Sequence, residues 1–253
     1  MTFVSKSLNA RYKGSFLGFL WTFINPLAQL IVYSVVFKYI FRIQEPNYTM
    51  YLFVALVPWS EFTSSINGSL VAITGNSNLV KKIYFPRQLL PLSVSLTYIV
   101  DFVYCVPILL IAMILSKLNF TTNLLFFPII MLIQFIYQTG ICYIVSALNV
   151  KFRDVKQIVG IIIMAWFYVT PILYKMSMIP KTLNLFGHTI NPQFWFILIN
   201  PIAAVILSYR DVMLYGRLPD FTGLSIALIE GVIIFTLGYF IFKYFERTFA
   251  EDL

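Results

Sequence analysis

Long apolar runs alternate along the chain with short polar segments that carry most of the Lys and Arg residues. A helix that crosses a membrane needs about 20 apolar residues, because each residue advances only ~1.5 Å along the helix axis. The pattern therefore predicts an all-α integral membrane protein with six transmembrane helices. The spans are predicted at residues 21–41, 51–73, 91–115, 124–147, 157–174 and 223–243.

The first part of the chain, residues 1–20, departs from this alternation. Apolar side chains are mixed there with Lys6, Arg11 and Lys13. A short segment with apolar and basic faces is typical of an interfacial helix that lies along the membrane surface. The sequence therefore predicts such a helix before the first span.

Residues 175–222 form the second departure. The segment is too long for a tight connection, and its apolar run at 194–207 is interrupted by Asn200 and Pro201. Pro removes a helix hydrogen bond and restricts the residue before it. The segment therefore predicts a re-entrant or interfacial helix pair rather than a seventh span, and a re-entrant pair must be shielded by protein.

Cations in the short connecting segments predict the orientation of the chain. Short cytoplasmic loops carry an excess of Lys and Arg. With both termini in the cytoplasm, 11 of the 18 Lys and Arg residues lie on the cytoplasmic side, and residues 175–222 lie outside. The cytoplasmic cations are then Lys6, Arg11, Lys13, Lys81, Lys82, Arg87, Lys151, Arg153, Lys156, Lys243 and Arg247.

The composition supports a single membrane domain over residues 1–253. Of the residues, 60% are hydrophobic and 11% are charged, whereas a soluble domain has about 25% charged residues. Little of the chain is therefore left for a separate soluble domain. The net charge of +8 is concentrated between the spans, which fits topology control and contact with membrane lipids better than binding to nucleic acid.

The chain lacks the residue patterns of an enzyme active site. No Gly-Lys dipeptide occurs, so the phosphate-binding loop G-x-x-x-x-G-K-[ST] is absent, as are G-x-S-x-G and H-E-x-x-H. Cys105 and Cys142 lie in apolar runs and His188 is the only histidine, so no metal site is expected. If ATP drives the function, another polypeptide must bind ATP and Mg²⁺, and no cofactor is expected in this chain.

Three carboxyl groups, those of Glu61, Asp101 and Glu230, fall within predicted spans. A carboxyl group in hydrocarbon is unfavourable by about 3 kcal/mol, so each should face protein, water or a partner. A proton relay would make the protein an ion-coupled transporter, whereas hydrogen bonds between helices would be structural. The structural alternative is favoured because the acids form no helical stripe. Glu61 is expected near the outer end of its span.

Aromatic residues make up 18% of the chain, and several lie within the first and fifth predicted spans. Sugar rings stack their apolar C–H faces on aromatic side chains, so an aromatic-lined conduit would suit a glycan. Ordinary packing or lipid contact is the alternative, and interfacial anchoring is the commoner role of Trp. The candidate conduit residues are Trp21, Tyr33, Phe37, Trp166, Tyr168 and Tyr174.

Residues 76–90, between the second and third spans, contain more charged and aromatic side chains than a short turn requires. Three cations flank two aromatic residues, and a proline ends any helix there. A rigid cationic element with exposed aromatic side chains is suited to docking a partner, whereas the alternative is an anchor that only enforces orientation. The predicted docking residues are Lys81, Lys82, Tyr84, Phe85, Pro86 and Arg87.

Five regions, spread from one end of the chain to the other, carry recognisable motifs. They read RYKGSFLGFLWTFINPL at 11–27, LVKKIYFPRQLLPL at 79–92, LNVKFRDVKQIV at 148–159 followed by TPILY at 170–174, INPIAAVILSYRDVMLYGRLPD at 199–220, and ERTFAEDL at 246–253. In this order and spacing they resemble the transmembrane subunit of ABC-2-type exporters. The resemblance is greatest to exporters of lipid-linked polysaccharides such as O-antigen, capsule or wall teichoic acid.

The resemblance implies a homodimer of six-span permease subunits in the cytoplasmic membrane of a bacterium. Two separate ATPase subunits, which bind ATP and Mg²⁺, would accompany the dimer. Residues 76–90 then match the cytoplasmic coupling segment that fits a groove of the ATPase. Residues 175–222 match external half-membrane helices that gate the exit.

The resemblance also suggests roles for two further pairs of charged residues. Arg153 and Asp154, in the second cytoplasmic loop, brace the ATPase interface or pair with each other. Arg11 and Lys13 contact the pyrophosphate headgroup of the lipid carrier or anchor the interfacial helix.

Three other functions are compatible with parts of the sequence. An ABC-2 permease for a smaller lipid or drug would share the architecture. An ion-coupled secondary transporter would use Glu61 or Asp101 and would need no ATPase. A membrane-embedded transferase would need clustered His, Asp or Glu residues at a membrane face, which the sequence lacks. The sequence therefore predicts the permease of an ATP-driven exporter of a lipid-linked polysaccharide, without enzymatic activity of its own.

Overall fold

The computed structural model describes residues 18–40, 47–83, 85–185 and 188–253. A helix occupies each of the six predicted spans, so the predicted helical class is confirmed. The helices are α1 (Trp21–Ser34), α2 (Tyr48–Leu70), α3 (Ser77–Lys82), α4 (Leu89–Leu115), α5 (Phe127–Lys151), α6 (Val155–Val169), α7 (Pro192–Ile199), α8 (Pro201–Met213), α9 (Phe221–Phe245) and α10 (Phe249–Asp252). A π-helix continues α1, and 3₁₀ turns cover Gly18–Leu20, Thr74–Asn76, Thr122–Phe126 and Met176–Met178.

Three of these helices are long and apolar enough to cross a membrane: α4, α9, and α5 together with the 3₁₀ turn before it. The bent pair α7–α8 is a fourth candidate if it counts as one span, and α1 and α6 are apolar but shorter. The α2 helix has 23 residues, but hydroxyl, amide and carboxyl side chains lower its hydropathy. The protein is therefore embedded in a membrane, and the count of six spans stays a prediction.

A short antiparallel strand pair, β1 (Leu183–Leu185) and β2 (His188–Ile190), interrupts the helical structure between α6 and α7. The all-α expectation is wrong for these two short strands, because only helices were predicted in this segment. Each strand has three residues, and the pairing aligns Leu183 with Ile190. The pair is a local hairpin rather than a sheet.

The predicted break at Asn200 is confirmed, because α7 and α8 meet there at a bend of 108°. Pro192 and Pro201 each lie in the first turn of their helix, where a missing N–H is tolerated. The Asn191 side chain caps α7 by accepting a hydrogen bond from the backbone N–H of Phe194 at 3.2 Å. Nearly all of α8 is buried, as a re-entrant helix requires. Its depth in a membrane stays a prediction.

The α2 helix forms the centre of the fold. Residues 50–59 are all buried, and Leu52, Leu56 and Phe62 are completely inaccessible to solvent. A helix that is buried on every side must be surrounded by other helices. Here α1, α4, α5, α6 and α8 pack around α2, which makes α2 the scaffold against which the other helices are placed.

Glycines bring the backbones of α5 and α9 together. Gly140 on α5 lies so close to α9 that an added Cβ atom would be 2.5 Å from Phe235 N and 2.6 Å from the carbonyl carbon of Ile234. Gly238 on α9 in turn lies against the backbone of Gly140. Small residues permit this close approach of membrane helices. The α5–α9 pair therefore behaves as one packed unit.

A second hydrophobic cluster lies at the end of the fold that is predicted to face the cytoplasm. It joins the ends of α5 and α9 to α3, to the start of α4 and to α10. Asn149 donates to the carbonyl oxygen of Leu70 at 2.7 Å and so links α5 to the end of α2 as well. The buried members are Ala72, Ile73, Val80, Leu90, Tyr143, Ala147, Val150, Phe242 and Phe249.

Candidate functional site

Residues 76–90 are held against the ends of α5 and α9. The α3 helix places Val80 inside the second cluster, where only 2% of its surface is exposed. Lys81, Lys82 and Ile83 are exposed, Ile83 to 55%. The segment therefore has one anchored face and one open face, and the open face includes two cations and an apolar side chain.

Arg87 forms hydrogen bonds with other residues of the same chain. Its guanidinium donates to the carbonyl oxygen of Glu246 at 2.6 Å and to that of Val80 at 3.5 Å, and its backbone N–H donates to Glu246 Oε1 at 3.3 Å. Lys243 donates to Oε2 of the same carboxylate at 2.9 Å. The structure thus gives Arg87 an internal role, because it ties the end of α9 to α3. Contact of Arg87 with a partner stays a prediction.

The aromatic part of this segment differs from the prediction. Phe85 is only partly exposed, because it packs against the second cluster, so the expectation of a freely exposed ring is wrong. Pro86 is exposed, and Tyr84 lies outside the described residues. Among the described residues of this segment, the exposed cations are therefore Lys81 and Lys82, while the ring of Phe85 is partly covered.

Arg153 and Asp154 form the turn between α5 and α6, and both are exposed. Within the described ranges neither takes part in an ion pair, so the alternative of a local pair is not formed. Phe152 beside them is 54% exposed. Their predicted role in bracing an ATPase stays a prediction.

The predicted headgroup contacts, Arg11 and Lys13, lie outside the described residues, as does most of the predicted interfacial helix at 1–20. The described part of the chain begins with a 3₁₀ turn that leads directly into α1. Trp21, a predicted conduit residue, is the first residue of α1, and 43% of its surface is exposed. Its ring is therefore available to lipid or to a second molecule.

A cleft of about 290 Å³ opens between α1, α2 and α6. Two predicted conduit residues, Tyr33 and Tyr168, line it together with Phe167 and Trp59. The Tyr33 ring stacks on Phe167 with the ring centres 5.7 Å apart, and Phe167 meets Tyr168 edge-on at 5.4 Å. The polar side chains of the cleft are Gln29, Ser60, Thr63 and Asn67.

Flat aromatic faces beside amide and hydroxyl groups suit a carbohydrate, whose rings have apolar faces and polar edges. Ser60 Oγ donates to Gln29 Oε1 at 3.2 Å, so α1 and α2 present neighbouring polar groups to the cleft. These polar residues were not predicted from the sequence. A signal was available, because Ser60, Thr63 and Asn67 recur at i, i+3 and i+7 and therefore share one face of α2.

The remaining predicted conduit residues do not line this cleft. Trp166 is partly buried and packs against the core, and its Nε1–H donates to Asn200 Oδ1 at 2.8 Å. Trp166 therefore has a packing role, which was the alternative to a conduit role for the aromatic residues. Phe37 and Tyr174 are half-buried and lie outside the lining of the cleft.

A buried polar network joins α2, α4 and α5 in the interior of the fold. The Glu61 carboxylate accepts hydrogen bonds from Gln134 Nε2 (2.5 Å), Gln138 Nε2 (2.6 Å) and Ser65 Oγ (3.1 Å). Gln138 Nε2 also lies 3.2 Å from Ser95 Oγ on α4. The expected position of Glu61 near the outer end of its span is wrong, because Glu61 lies in the middle of α2.

We expect Glu61→Leu to lower the free energy of unfolding by about 2 kcal/mol, because the Nε2 groups of Gln134 and Gln138 would lose a buried acceptor. Glu61→Gln keeps an acceptor at this position and is expected to retain transport. Thermal unfolding in detergent and a transport assay measure the two effects, with Glu230→Leu on the half-buried Glu230 as control. Loss of transport in a stable Glu61→Gln variant would instead favour the proton relay of an ion-coupled transporter.

Comparison with known proteins places the chain in a family. Residues 1–199 match the family model described as ABC-2 type transporter. The chain belongs to this family. The resemblance to ABC-2-type exporters that the sequence motifs indicated is thereby confirmed. Individual relatives align with this ABC-2 transporter over nearly their whole length.

Two relatives of this ABC-2 transporter are O-antigen export system permease proteins RfbA. The protein from Myxococcus xanthus is 34% identical over 253 residues, which cover 100% of this chain and 94% of that protein. One from Klebsiella pneumoniae is 36% identical over 250 residues, covering 98% and 92% of the two chains. The polysialic acid transport protein KpsM of Escherichia coli is more distant, at 21% identity over 244 residues, covering 94% and 90%.

Regions of this ABC-2 transporter that carry the resemblance meet in space. Segment 79–92 contacts segment 246–253 through the hydrogen bonds of Arg87 to Glu246. Segment 170–174 is bound by Arg210 of α8, which donates to the carbonyl oxygens of its second and third residues. The motifs therefore include residues that join one part of the fold to another.

Proposed function

We propose that the chain is the permease subunit of an ATP-driven exporter that moves a lipid-linked polysaccharide across the cytoplasmic membrane of a bacterium. The observation that carries the proposal is the identity of 34–37%, over 98–100% of the chain, to O-antigen export permeases. The chain has no phosphate-binding loop, so separate ATPase subunits would bind ATP and Mg²⁺. A homodimer of the chain would pair with two of them.

The docking surface proposed for the ATPase is the open face of residues 76–90. Lys81, Lys82 and Ile83 are exposed there, and Val80 anchors the segment from below. Cations at an interface fix orientation and speed association with an acidic partner, while an apolar side chain contributes buried area. The anchored segment follows its partner as a rigid body, whereas a free loop would absorb the motion.

Arg87 offers a path for the motion into the membrane. It links the docking segment to Glu246 at the end of α9. The α9 helix is in backbone contact with α5 at Gly140 and Gly238, so a displacement of α9 carries α5 with it. Movement of the ATPase would therefore displace two packed helices together.

The conduit for the glycan is proposed at the cleft between α1, α2 and α6. The outer faces of α1 and α6 carry exposed apolar residues, among them Ile31 (64%) and Ile161 (64%). Two copies of the chain that meet on these faces would bring two such clefts together. The aromatic and amide side chains of both copies would then line one passage.

The gate is proposed in residues 175–222, on the outer side of the membrane. The bend of 108° at Asn200 and the buried α8 support this placement, because a broken helix pair must be held by protein. The basic short loops support cytoplasmic termini. The chain would then form one membrane domain, with its docking segment on the cytoplasmic side of the membrane and its gate on the outer side.

Tyr168→Ala is expected to reduce glycan export severalfold with little loss of stability, because its ring lines the cleft yet is 66% exposed. Tyr244→Ala removes a similarly exposed ring (71%) from α9, outside the cleft, and serves as the matched control. Surface glycan in complemented cells measures export, and protein yield measures stability. Equal export by both variants would remove the cleft from the proposed conduit.

Deletion of the gene in its native host tests the function itself. The proposal expects loss of surface polysaccharide and accumulation of lipid-linked polymer inside the cell, both restored by the intact gene. A permease for a smaller lipid or drug would leave the surface polysaccharide unchanged. That result would overturn the assignment of the cargo while leaving the family intact.

A further inference from the structure

A pocket of about 520 Å³ lies beside the helix pair α7–α8, on the side of the fold predicted to face outward. Its walls come from α2, the segment after α6, α7, α8 and the start of α9. Sites for small ligands typically measure roughly 300–1,000 Å³. Gln193 Nε2 donates to the carbonyl oxygen of Ile179 at 2.7 Å, which holds two of these walls together.

Arg210 lines this pocket and has only 1% of its surface exposed. Its guanidinium donates to the carbonyl oxygens of Tyr51 (3.2 Å), Pro171 (2.5 Å) and Ile172 (2.6 Å), and Cζ lies 3.4 Å from the centre of the Tyr51 ring. All of these partners are neutral. Within the described residues no carboxylate pairs with Arg210.

A buried positive charge without a negative partner is unfavourable. The carbonyl oxygens satisfy three of the N–H groups of Arg210, and a guanidinium has five. Arg210 is therefore a buried cation at the wall of the pocket, and two of its N–H groups are not used by these carbonyl oxygens.

The other charged residues of the pocket increase its positive charge. Lys175, Lys181 and Arg217 line it together with two acids, Asp211 and Asp220. Asp211 pairs with Arg217 at 2.7 Å, and Asp220 caps α9 by accepting a backbone N–H at 3.1 Å. Four cations therefore face two acids, and both acids already have donors within the protein.

We propose that this pocket binds a phosphate-type oxyanion. Guanidinium and ammonium groups that line one cavity are well suited to phosphate oxygens. The diphosphate headgroup of the lipid carrier would supply such a ligand on the outer side, an assignment that rests on the proposed function. Free pyrophosphate offers the same chemistry. The site would hold the anionic end of the exported molecule after it has crossed.

Binding is tested with the purified full-length protein in nanodiscs of neutral lipid, with inorganic pyrophosphate and a polyprenyl diphosphate as separate probes. Lys181→Glu is expected to weaken binding about tenfold, because a negative charge replaces a positive one at the pocket. Lys117→Glu, an exposed cation on the side predicted to face outward and away from the pocket, is the matched control. Arg210→Met is expected to abolish binding, but Arg210 also holds three carbonyl groups, so the exposed Lys181 carries the test.

Saturable binding that Lys181→Glu weakens and Lys117→Glu leaves unchanged supports the site. Binding of the polyprenyl diphosphate alone assigns the site to the carrier, and binding of both probes assigns it to free phosphate groups as well. No binding by the wild type, or equal binding by Lys181→Glu, overturns the site. Export is scored separately in cells, so failure of binding with normal export overturns the site but not the proposed function.

Discussion

Gly140→Ala is expected to lower the free energy of unfolding by about 2–3 kcal/mol or to prevent assembly altogether, because overpacking forces neighbouring backbone apart. The added Cβ atom would lie 2.5 Å from the backbone nitrogen of Phe235, and backbone cannot move aside as a flexible side chain can. Thermal unfolding in detergent and the monodisperse fraction on size-exclusion chromatography measure the effect.

Gly160→Ala is the matched control for this prediction. Gly160 lies within α6, and an added Cβ atom there meets no atom within 4 Å. Alanine favours a helix over glycine by about 1 kcal/mol, so this substitution is expected to be neutral or stabilising. Gly140→Ala is thus expected to lower the free energy of unfolding, whereas Gly160→Ala is expected to leave it unchanged or raise it. Equal stability of both variants would contradict the close α5–α9 contact.

Arg87→Met is expected to reduce glycan-stimulated ATP hydrolysis and export by about tenfold or more, as expected when about 1.4 kcal/mol of coupling is lost. The substitution removes the donors to the carbonyl oxygens of Glu246 and Val80, so the docking segment would no longer be tied to α9. Lys81, Lys82 and Ile83 remain exposed. The ATPase should therefore still co-purify with the variant.

Lys156→Met controls for the loss of one exposed cation on the same predicted side of the membrane and should behave like the wild type. Two results would contradict the role given to Arg87. Loss of co-purification would show that Arg87 contacts the ATPase directly. Unchanged ATP hydrolysis and export would show that the hydrogen bonds between Arg87 and Glu246 do not couple the ATPase to transport.

Local patterns in the sequence predicted the helices and the break between α7 and α8. Apolar runs of sufficient length encode helices directly, and Asn200-Pro201 marks the break because Pro cannot continue the hydrogen-bond ladder. Aromatic residues of the first and fifth predicted spans were expected to line a conduit, and Tyr33 and Tyr168 of these spans do line one cleft, whose role as a conduit stays a prediction.

Contacts between distant parts of the chain could not be predicted in this way. Arg87 resembles any other loop cation in the sequence, and its acceptor Glu246 lies 159 residues away. Arg210 likewise gives no local sign of burial, because its partners are backbone carbonyl groups that every sequence possesses. The sequence predicts Trp166 as a conduit residue because composition cannot distinguish a ring that packs against the core from a ring that lines a conduit.

Reconstituted transport tests the proposed exporter most directly. Inside-out vesicles that contain the chain and its ATPase would receive a labelled lipid-linked polysaccharide on the outside, and uptake would be scored as protection from an added glycosidase. The proposal predicts protection that requires ATP, the chain and the ATPase together. Protection driven by a proton gradient without the ATPase, or none when all components are present, would contradict it.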